Sequence, residues 1–386
     1  MKQKSIFSLA MATILLSSNI VYADVYSDNN VPDDQKNIIE RMVNEPSIFT
    51  SIKGLKRKSK NARINDLIKW YKQNGKIDAD QDNFNSLGLD IENFRNQKDF
   101  LSFTKLSKEV NKTHHGNLHR FQFEYDNKIS FYKLVCSVNP KYTPKIFYII
   151  KNGQTIYSAN NKENGISTKS AINKLTDGEY ILKPSNGAKG EGIYFLKKET
   201  NKIEVTESNQ NKLSLNSLIE KINNKRIIIQ ECVKQHPKIN DFNETSLNTI
   251  RIISVRYKNK ADVLAAMLRI GKKNMRVDNA HKGGFCVGID ISNGQLNKYG
   301  CGYNRLCTEK NNIKFENFQI PFWEEAMNLV KELHNKVFFG ASSLGFDVAI
   351  TENGPVAIEV NTGWGCKGLQ ACNGGLKKRF IYLKNK

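Results

Sequence analysis

The chain contains no apolar run of the roughly 20 residues that a membrane span requires, which excludes a polytopic membrane protein. No CxxC pair supports a zinc ribbon, and no RNP, zinc-finger or helix-turn-helix pattern points to a nucleic-acid binder. Internal repeats are absent, which removes solenoids and propellers. No convincing Cys–His or Ser–His pattern offers a protein nucleophile. Nor is there a compositional bias: 39% hydrophobic, 10% aromatic and 25% charged residues exclude a disordered or collagen-like chain. What is present is length and charge. The 386 residues suffice for two or three units sharing a sizeable core, and 59 Lys+Arg against 38 Asp+Glu leave +21. Such a balance favours anionic partners: nucleotides, acidic glycans, lipid head groups.

The first 23 residues read as an export signal. Lys2 and Lys4 precede an apolar run from Ile6 to Leu16, and Val21-Tyr22-Ala23 supplies the small-residue cleavage pattern before Asp24. An exported, periplasmic or secreted protein with no membrane span after cleavage is expected, or a cytoplasmic one if that signal reading fails. The seven cysteines are odd in number. Cys301 and Cys307, like Cys366 and Cys372, stand six apart, so either pair could close a disulfide in an oxidising compartment; buried thiols are the alternative.

Residues 24–120 are polar and helical in rhythm, with Ile38, Ile39, Met42 and Val43, then Ile64, Leu67, Ile68 and Tyr71, at helical spacing. The basic run Lys53 to Lys60 between them reads as a solvated linker. Beyond Leu118 the texture becomes β-rich: Phe121 to Tyr125, Lys145 to Ile150, Tyr180 to Lys183, Arg226 to Gln230, Thr249 to Val255, Val263 to Leu268 and Val356 to Val360. Asn152-Gly153, Asn293-Gly294 and Asn353-Gly354 fall between such runs as hairpin turns. Phe322 to Phe338 is the clearest late helix, with Trp323, Met327, Val330 and Leu333 on one face. The expectation is an α+β chain with much antiparallel sheet behind a helical N-terminal region.

Three constellations carry chemistry. In Tyr180 to Tyr194 an apolar strand delivers Lys183, then Asn186, Gly187, Lys189, Gly190 and Gly192 form a flexible basic turn before a second strand. Glycines at that density let main-chain N–H groups close over a polyphosphate, though the run lacks both the GK[ST] of a Walker loop and the helix of a Rossmann turn. In the second, a strand ends on Arg269 and a loop brings Arg276, Asn279, His281 and Lys282 before Gly283-Gly284; planar arginines suit phosphate and carboxylate oxygens. The third runs from Gly345 to Asn361. Its first strand carries Asp347 and its second carries Glu359 and Asn361, two apart and therefore on one face. Two carboxylates and an amide oxygen form an all-oxygen set suited to Mg²⁺.

In this order the motifs resemble the ATP-grasp superfamily. Ser246 to Arg251, Arg269-Ile-Gly with Val277-Asp-Asn, and the Gly-Phe-Asp…Ile-Glu-Val-Asn ending look closest to the sugar-transfer-associated branch, related to α-L-glutamate ligases. The resemblance covers about Phe121 to Leu376. It implies an ATP-grasp fold, with a small subdomain at 121–180, a nucleotide-binding lobe at 181–232 and a metal-binding, catalytic lobe at 233–386. By resemblance Lys183 binds the α- and β-phosphates and the Asn186–Gly192 loop covers the triphosphate. Gln230, Glu231 and Val233 line the adenine hinge. Arg269 and Asn279 face the γ-phosphate, with Arg276 and His281 nearby. Asp347, Glu359 and Asn361 hold two Mg²⁺, with Mn²⁺ the alternative ion. A further phosphate lysine is Lys133, with Lys128 the alternative. Two departures stand out: relatives often carry Arg where this chain has Gly345, and Asn-x-x-Pro-Gly where it has Asn361-Thr-Gly-Trp-Gly365.

The implied activity is ATP- and Mg²⁺-dependent joining of a carboxylate to an amine through an acyl phosphate, with anionic or sugar-linked substrates and no nucleic acid. A phosphotransferase acting on a hydroxyl, or a non-catalytic binder of nucleotide or anionic glycan, are the alternatives. A zinc set from His114, His115 and His119 lacks a fourth ligand.

Overall fold

The computed structural model describes residues 30–106, 124–187, 190–200, 202–278, 283–302 and 305–386. The export signal, the histidines at 114, 115 and 119, and site candidates Lys189, Asn279 and His281 lie outside them. The chain divides into two compact units, one ending at Gln97 and including 102–105, the other comprising 98–101 and 106–386.

The first unit is built on two helices, α1 (Asp33–Asn44) and α2 (Lys60–Asn74). Asp33 and Asp34 at the start of α1 and Arg41 at its end complement the helix dipole. Ser59 caps α2 by accepting from the Ala62 amide, and Gly75, at φ +82°, ends it in a conformation that glycine adopts without strain. Ile39, Met42, Leu67 and Trp70 are buried with Phe49, Phe84 and Leu87. The basic run is not simply a solvated linker. Arg57 pairs with the fully buried Asp90 at 2.9 Å, and Lys58 with Asp66 at 2.9 Å and with the Leu89 carbonyl at 2.8 Å. Two of its cations therefore hold the unit's loops to its helices.

Of the strand expected at 121–125, residues 121–123 lie outside the described residues and the last two, Glu124 and Tyr125, are helical. Helix α3 (Lys128–Val138) follows, capped by the Asn127 side chain on the Ile129 and Ser130 amides. Two antiparallel seven-stranded sheets make up most of the unit. The first contains β1 (Ile146–Lys151), β2 (Gln154–Ser158), β3 (Gly178–Pro184), β4 (Tyr194–Glu199), β5 (Lys202–Glu207), β6 (Lys212–Leu213) and β7 (Arg226–Glu231), in the order β2-β1-β7-β3-β4-β5-β6. Because β7 returns between β1 and β3, residues 121–180 do not form a separate subdomain, and the expected boundary at 180 falls inside β3. Helices α4 (Thr168–Lys174) and α5 (Leu215–Ile222) bury Ala171, Ile172, Leu218 and Ile222 against Tyr180, Leu182, Ile227 and Ile229 on one face of this sheet. Alternation then puts Ile181, Lys183, Ile228 and Gln230 on the other face.

After the short α6 (Pro237–Asn240), the second sheet comprises β8 (Ile250–Tyr257), β9 (Lys260–Ile270), β10 (Phe285–Ile289), β11 (Leu296–Gly302), β12 (Arg305–Cys307) and, beyond a small β13 (Glu309–Lys310) and β14 (Ile313–Lys314) hairpin and helix α7 (Trp323–Lys336), β15 (Ser343–Thr351) and β16 (Gly354–Asn361). Its order is β12-β11-β10-β9-β8-β15-β16. Helix α7 buries Trp323, Ala326, Leu329, Val330 and Leu333 in the same cluster as Ile252, Leu268, Phe346 and Val348; Met327, expected on that face, is only partly buried. Helices α8 (Lys367–Asn373) and α9 (Lys377–Asn385) close the chain. Helix α3 gives Phe131 and Val135 to the large core of the second sheet, while its Ile129 and Tyr132 pack on Ile146, Ile149 and Ile228 of the first. That placement brings the N-terminus of α3 to the site. The seven cysteines form no disulfide.

Candidate functional site

Strand register assembles the centre of the site. Arg251 on β8, Asp347 on β15 and Glu359 on β16 are successive cross-strand partners, so their side chains form a row on one face. Asn361, two residues after Glu359, joins them and donates to Glu359 at 3.4 Å. Arg251 holds Asp347 with two hydrogen bonds, through Nε to Oδ1 and through Nη2 to Oδ2 at 2.9 Å. Arg269, at the end of β9, donates to the same Oδ2 at 2.9 Å and pairs on its other side with Asp278. Asp278 is itself buried and accepts the Thr249 amide at 2.9 Å and the Thr249 hydroxyl at 2.5 Å. Burial opposes the charge of Asp347, but Arg251 and Arg269 outweigh it and hold the carboxyl well below the usual range. Burial likewise opposes the charge of Arg269, and Asp278 and Asp347 reverse that, raising its pKa further.

Gly345 explains one departure from the pattern of relatives. A Cβ there would lie 3.0 Å from Trp364 Cβ and 3.3 Å from Arg251 Cδ. The missing side chain leaves the space through which the Arg251 stem crosses, so the guanidinium beside Asp347 comes from the neighbouring strand. Sequence reasoning had assigned no role to Arg251 or Asp278.

Lys183 on β3 is 5% exposed. Burial, reinforced by the positive charge of Lys128, pushes it down to about 8, while Glu359 and Asp347 act in the opposite direction. Lys128, the first residue of α3, donates to the Gly187 carbonyl at 2.9 Å and lies 3.5 Å from Glu359. Lys133 is not at the site: five residues further on, it is turned about 140° around the helix and is exposed. The glycine-rich turn is tied to the same helix start, because Asn127 donates to Asn186 and the Lys128 amide to the Ser185 carbonyl. Gly190 and Gly192 sit at φ +68° and +67°, which glycine adopts at little cost. Asp126, just before, accepts the Thr362 amide at 2.9 Å and its hydroxyl at 3.0 Å, anchoring the segment that follows Asn361.

The hinge candidates continue along β7. Gln230 is buried and donates to the Pro144 carbonyl at 2.7 Å, Glu231 is exposed, and Val233 is half-buried just past the strand. Arg276 lies at this end. Its guanidinium lies 3.9 Å from the Phe195 ring centre and 3.3 Å from Glu179, which precedes Lys183 by four residues, about 13 Å along a strand.

Among the described residues no cluster of three or more His, Cys, Asp or Glu side chains is set to hold a metal. The donor set is instead two carboxylates and an amide. It is all oxygen, and Glu359 is the member not locked by arginines, which fits a hard divalent cation such as Mg²⁺.

Two antiparallel sheets, a glycine-rich turn after a buried lysine, and an acid–acid–amide row on the facing lobe define an ATP-grasp fold. A family model described as sugar-transfer associated ATP-grasp matches residues 110–385, and the chain belongs to that family. A search of the curated proteins found no match. Among solved structures, the chain is similar to the ATP-grasp ligase PsnB complexed with precursor peptide PsnA2 and AMPPNP, at 12% identity and TM-score 0.37, over 71% of this chain and 63% of that one. It is also similar to an L-amino acid ligase from Bacillus licheniformis, at 10% identity and TM-score 0.38, over 69% and 48%. A D-alanine–D-alanine ligase from Bacillus anthracis matches at 12% identity and TM-score 0.35, over 68% of each chain. The chain thus spans less than two thirds of the length of PsnB.

Proposed function

We propose that this chain is an ATP- and Mg²⁺-dependent ligase that joins a carboxylate to an amine through an acyl phosphate. The observation that carries the reading is Lys183, a lysine only 5% exposed on the face of β3 whose charge environment includes Glu359 and Asp347. A buried charge is tolerated where an anion is to be received. Lys183 and Lys128 would offset phosphate charge, and the turn around Asn186 to Gly192 would supply main-chain donors. Gln230, Glu231 and Val233 would border the base. Arg251 and Arg269 would offset the repulsion between an attacking carboxylate and the phosphoryl group. Glu359 and Asn361, with Asp347 once an arginine lets go, would hold Mg²⁺, which supplies Lewis-acid charge neutralisation. No protein nucleophile is required, so positioning and electrostatics carry the rate. Membership of the ATP-grasp family supports this reading.

Titration of Mg-ATP into wild type, Glu359→Ala and Lys183→Ala tests the site. Tight binding by wild type and loss in both variants is expected; unchanged binding in both would remove the basis of the proposal. Product analysis then separates a ligase, which releases ADP and phosphate together, from a phosphotransferase, which leaves phosphate on its acceptor. We further propose export directed by residues 1–23, with the enzyme acting where ATP is supplied, such as inside a recipient cell. Recovery of the chain only in the cytoplasm with residues 1–23 attached would overturn that part.

A further inference from the structure

One edge of the second unit, made by the tip of the β8–β9 hairpin and helix α9, has no part in the site described above. The two are in direct contact: the Tyr257 and Phe380 rings lie 6.1 Å apart, and Lys386 reaches Asp262 at 3.1 Å. Of the four large hydrophobic side chains that are exposed among the described residues, three lie here. Ile381 and Tyr382 project from α9 at 46% and 53% exposure, and Phe339, at 53%, stands beside the hairpin, its carbonyl accepting from Arg256 at 3.0 Å. Lys258, Lys260, Lys378, Lys384 and Lys386 are exposed around them. The acids that pair here are few: Asp262 with Lys386, and Asp99 with Lys378 at 3.4 Å.

We propose that this edge docks on a membrane surface carrying anionic head groups, with Phe339, Ile381 and Tyr382 entering the interface and the lysines meeting the head groups. Aliphatic and aromatic side chains flanked by lysines match the chemistry of an interfacial contact, where apolar burial and charge attraction add. The chain's net charge of +21 acts in the same direction. Single-stranded nucleic acid would use the lysines, but the Tyr382 ring is already flanked by Arg379 and Lys386 at 5.1 and 5.9 Å, and Ile381 offers no ring face, whereas a membrane interface buries all three apolar side chains. No helix among the described residues is long and apolar enough to cross a membrane, so the contact is one of surface and not of span.

The test is co-sedimentation of the full chain with vesicles of phosphatidylcholine alone or with about 30% phosphatidylglycerol, at low and high salt, beside a binding assay with a single-stranded DNA 20-mer, all as probes chosen for charge. Pelleting with the anionic vesicles only, weakened by salt, is expected. Phe339→Ser combined with Tyr382→Ser should abolish it, and Lys258→Gln and Lys260→Gln should each weaken it about fivefold. Unchanged melting temperature in these variants would show that they fold. Equal pelleting with neutral vesicles, no pelleting, variants that bind like wild type, or binding to DNA without binding to vesicles would each overturn the proposal. None of these outcomes depends on the ligase reading.

Discussion

Replacing Lys183 by methionine should make the protein more stable and at the same time blind to nucleotide. The ammonium is nearly inaccessible, and burial with repulsion from Lys128 pushes its pKa from 10.5 to about 8. Keeping Lys183 protonated at neutral pH therefore costs the folded state on the order of 3 kcal/mol. Methionine has a similar length and no charge, so Lys183→Met removes that cost without opening a cavity. Thermal unfolding should then shift upward by several degrees. An anion bound beside Lys183 would compensate the charge in wild type, so Mg-ATP should raise the melting temperature of wild type and leave the variant unmoved. A variant less stable than wild type, or one stabilised by Mg-ATP to the same extent, would refute the argument.

The same shift fixes a pH dependence. Between about pH 8 and 10.5 the unfolded chain keeps the Lys183 proton while the folded chain sheds it, so this group makes stability rise with pH across that window. Phosphate binding favours the charged form. Nucleotide affinity should therefore decline above about pH 8, and calorimetry in buffers of different ionisation enthalpy should detect proton uptake on binding at that pH.

Other consequences follow from the charge network. Arg251→Ala should lower turnover at saturating substrate about 100-fold or more, as expected for loss of a donor beside the reacting groups; Arg276→Ala, at the hinge end, should change it by no more than about threefold. Asp278→Ala leaves Arg269 without one of its two carboxylates and should cost about 3 kcal/mol in urea unfolding, and a loss below about 1 kcal/mol would show the pair to be dispensable. In the first unit, burial pushes Asp82 up to about 6, against 3.8 for the free group. Its ionised form is the penalised one, so the stability of that unit should fall as pH rises from about 4 to 6, and Asp82→Asn should flatten the profile seen by amide exchange.

The acid–acid–amide row was legible because its grammar is local. A period of two puts Glu359 and Asn361 on one face, whereas the β-bulge that shifts the register between Asp347 and Val348, and so brings Asp347 opposite Glu359, left no mark in the sequence. Arg251 was not legible: it is 96 residues from Asp347, and only the pairing of β8 with β15 unites them. The single hint was Gly345, a position without charge where relatives place one. Lys128 and Lys133 could not be told apart while the segment around residue 125 read as strand, since helical phase alone decides which of them reaches Glu359. The partners of Arg276 were not legible because a loop's direction is set by what it lands on, here Phe195 and Glu179.

The resting charges of the site suggest how substrate would reorganise it. Lys128 pairs with Glu359, and Asp347 is shared by Arg251 and Arg269, so the proposed metal ligands and the proposed phosphate ligands neutralise one another. A divalent cation arriving alone would meet carboxylates already satisfied, and a bare polyphosphate would meet arginines already engaged. Only the two together let every pair exchange partners, carboxylate to metal and guanidinium to phosphate, without leaving a buried charge unpaired. Binding should accordingly be strongly synergistic. Mg²⁺ and ATP titrated separately should each bind at least tenfold more weakly than when the other is present, a coupling of about 1.4 kcal/mol. Independent binding of the two would mean that the arginine–carboxylate cluster is a fixed structural unit and that Glu359 and Asn361 hold the metal without Asp347.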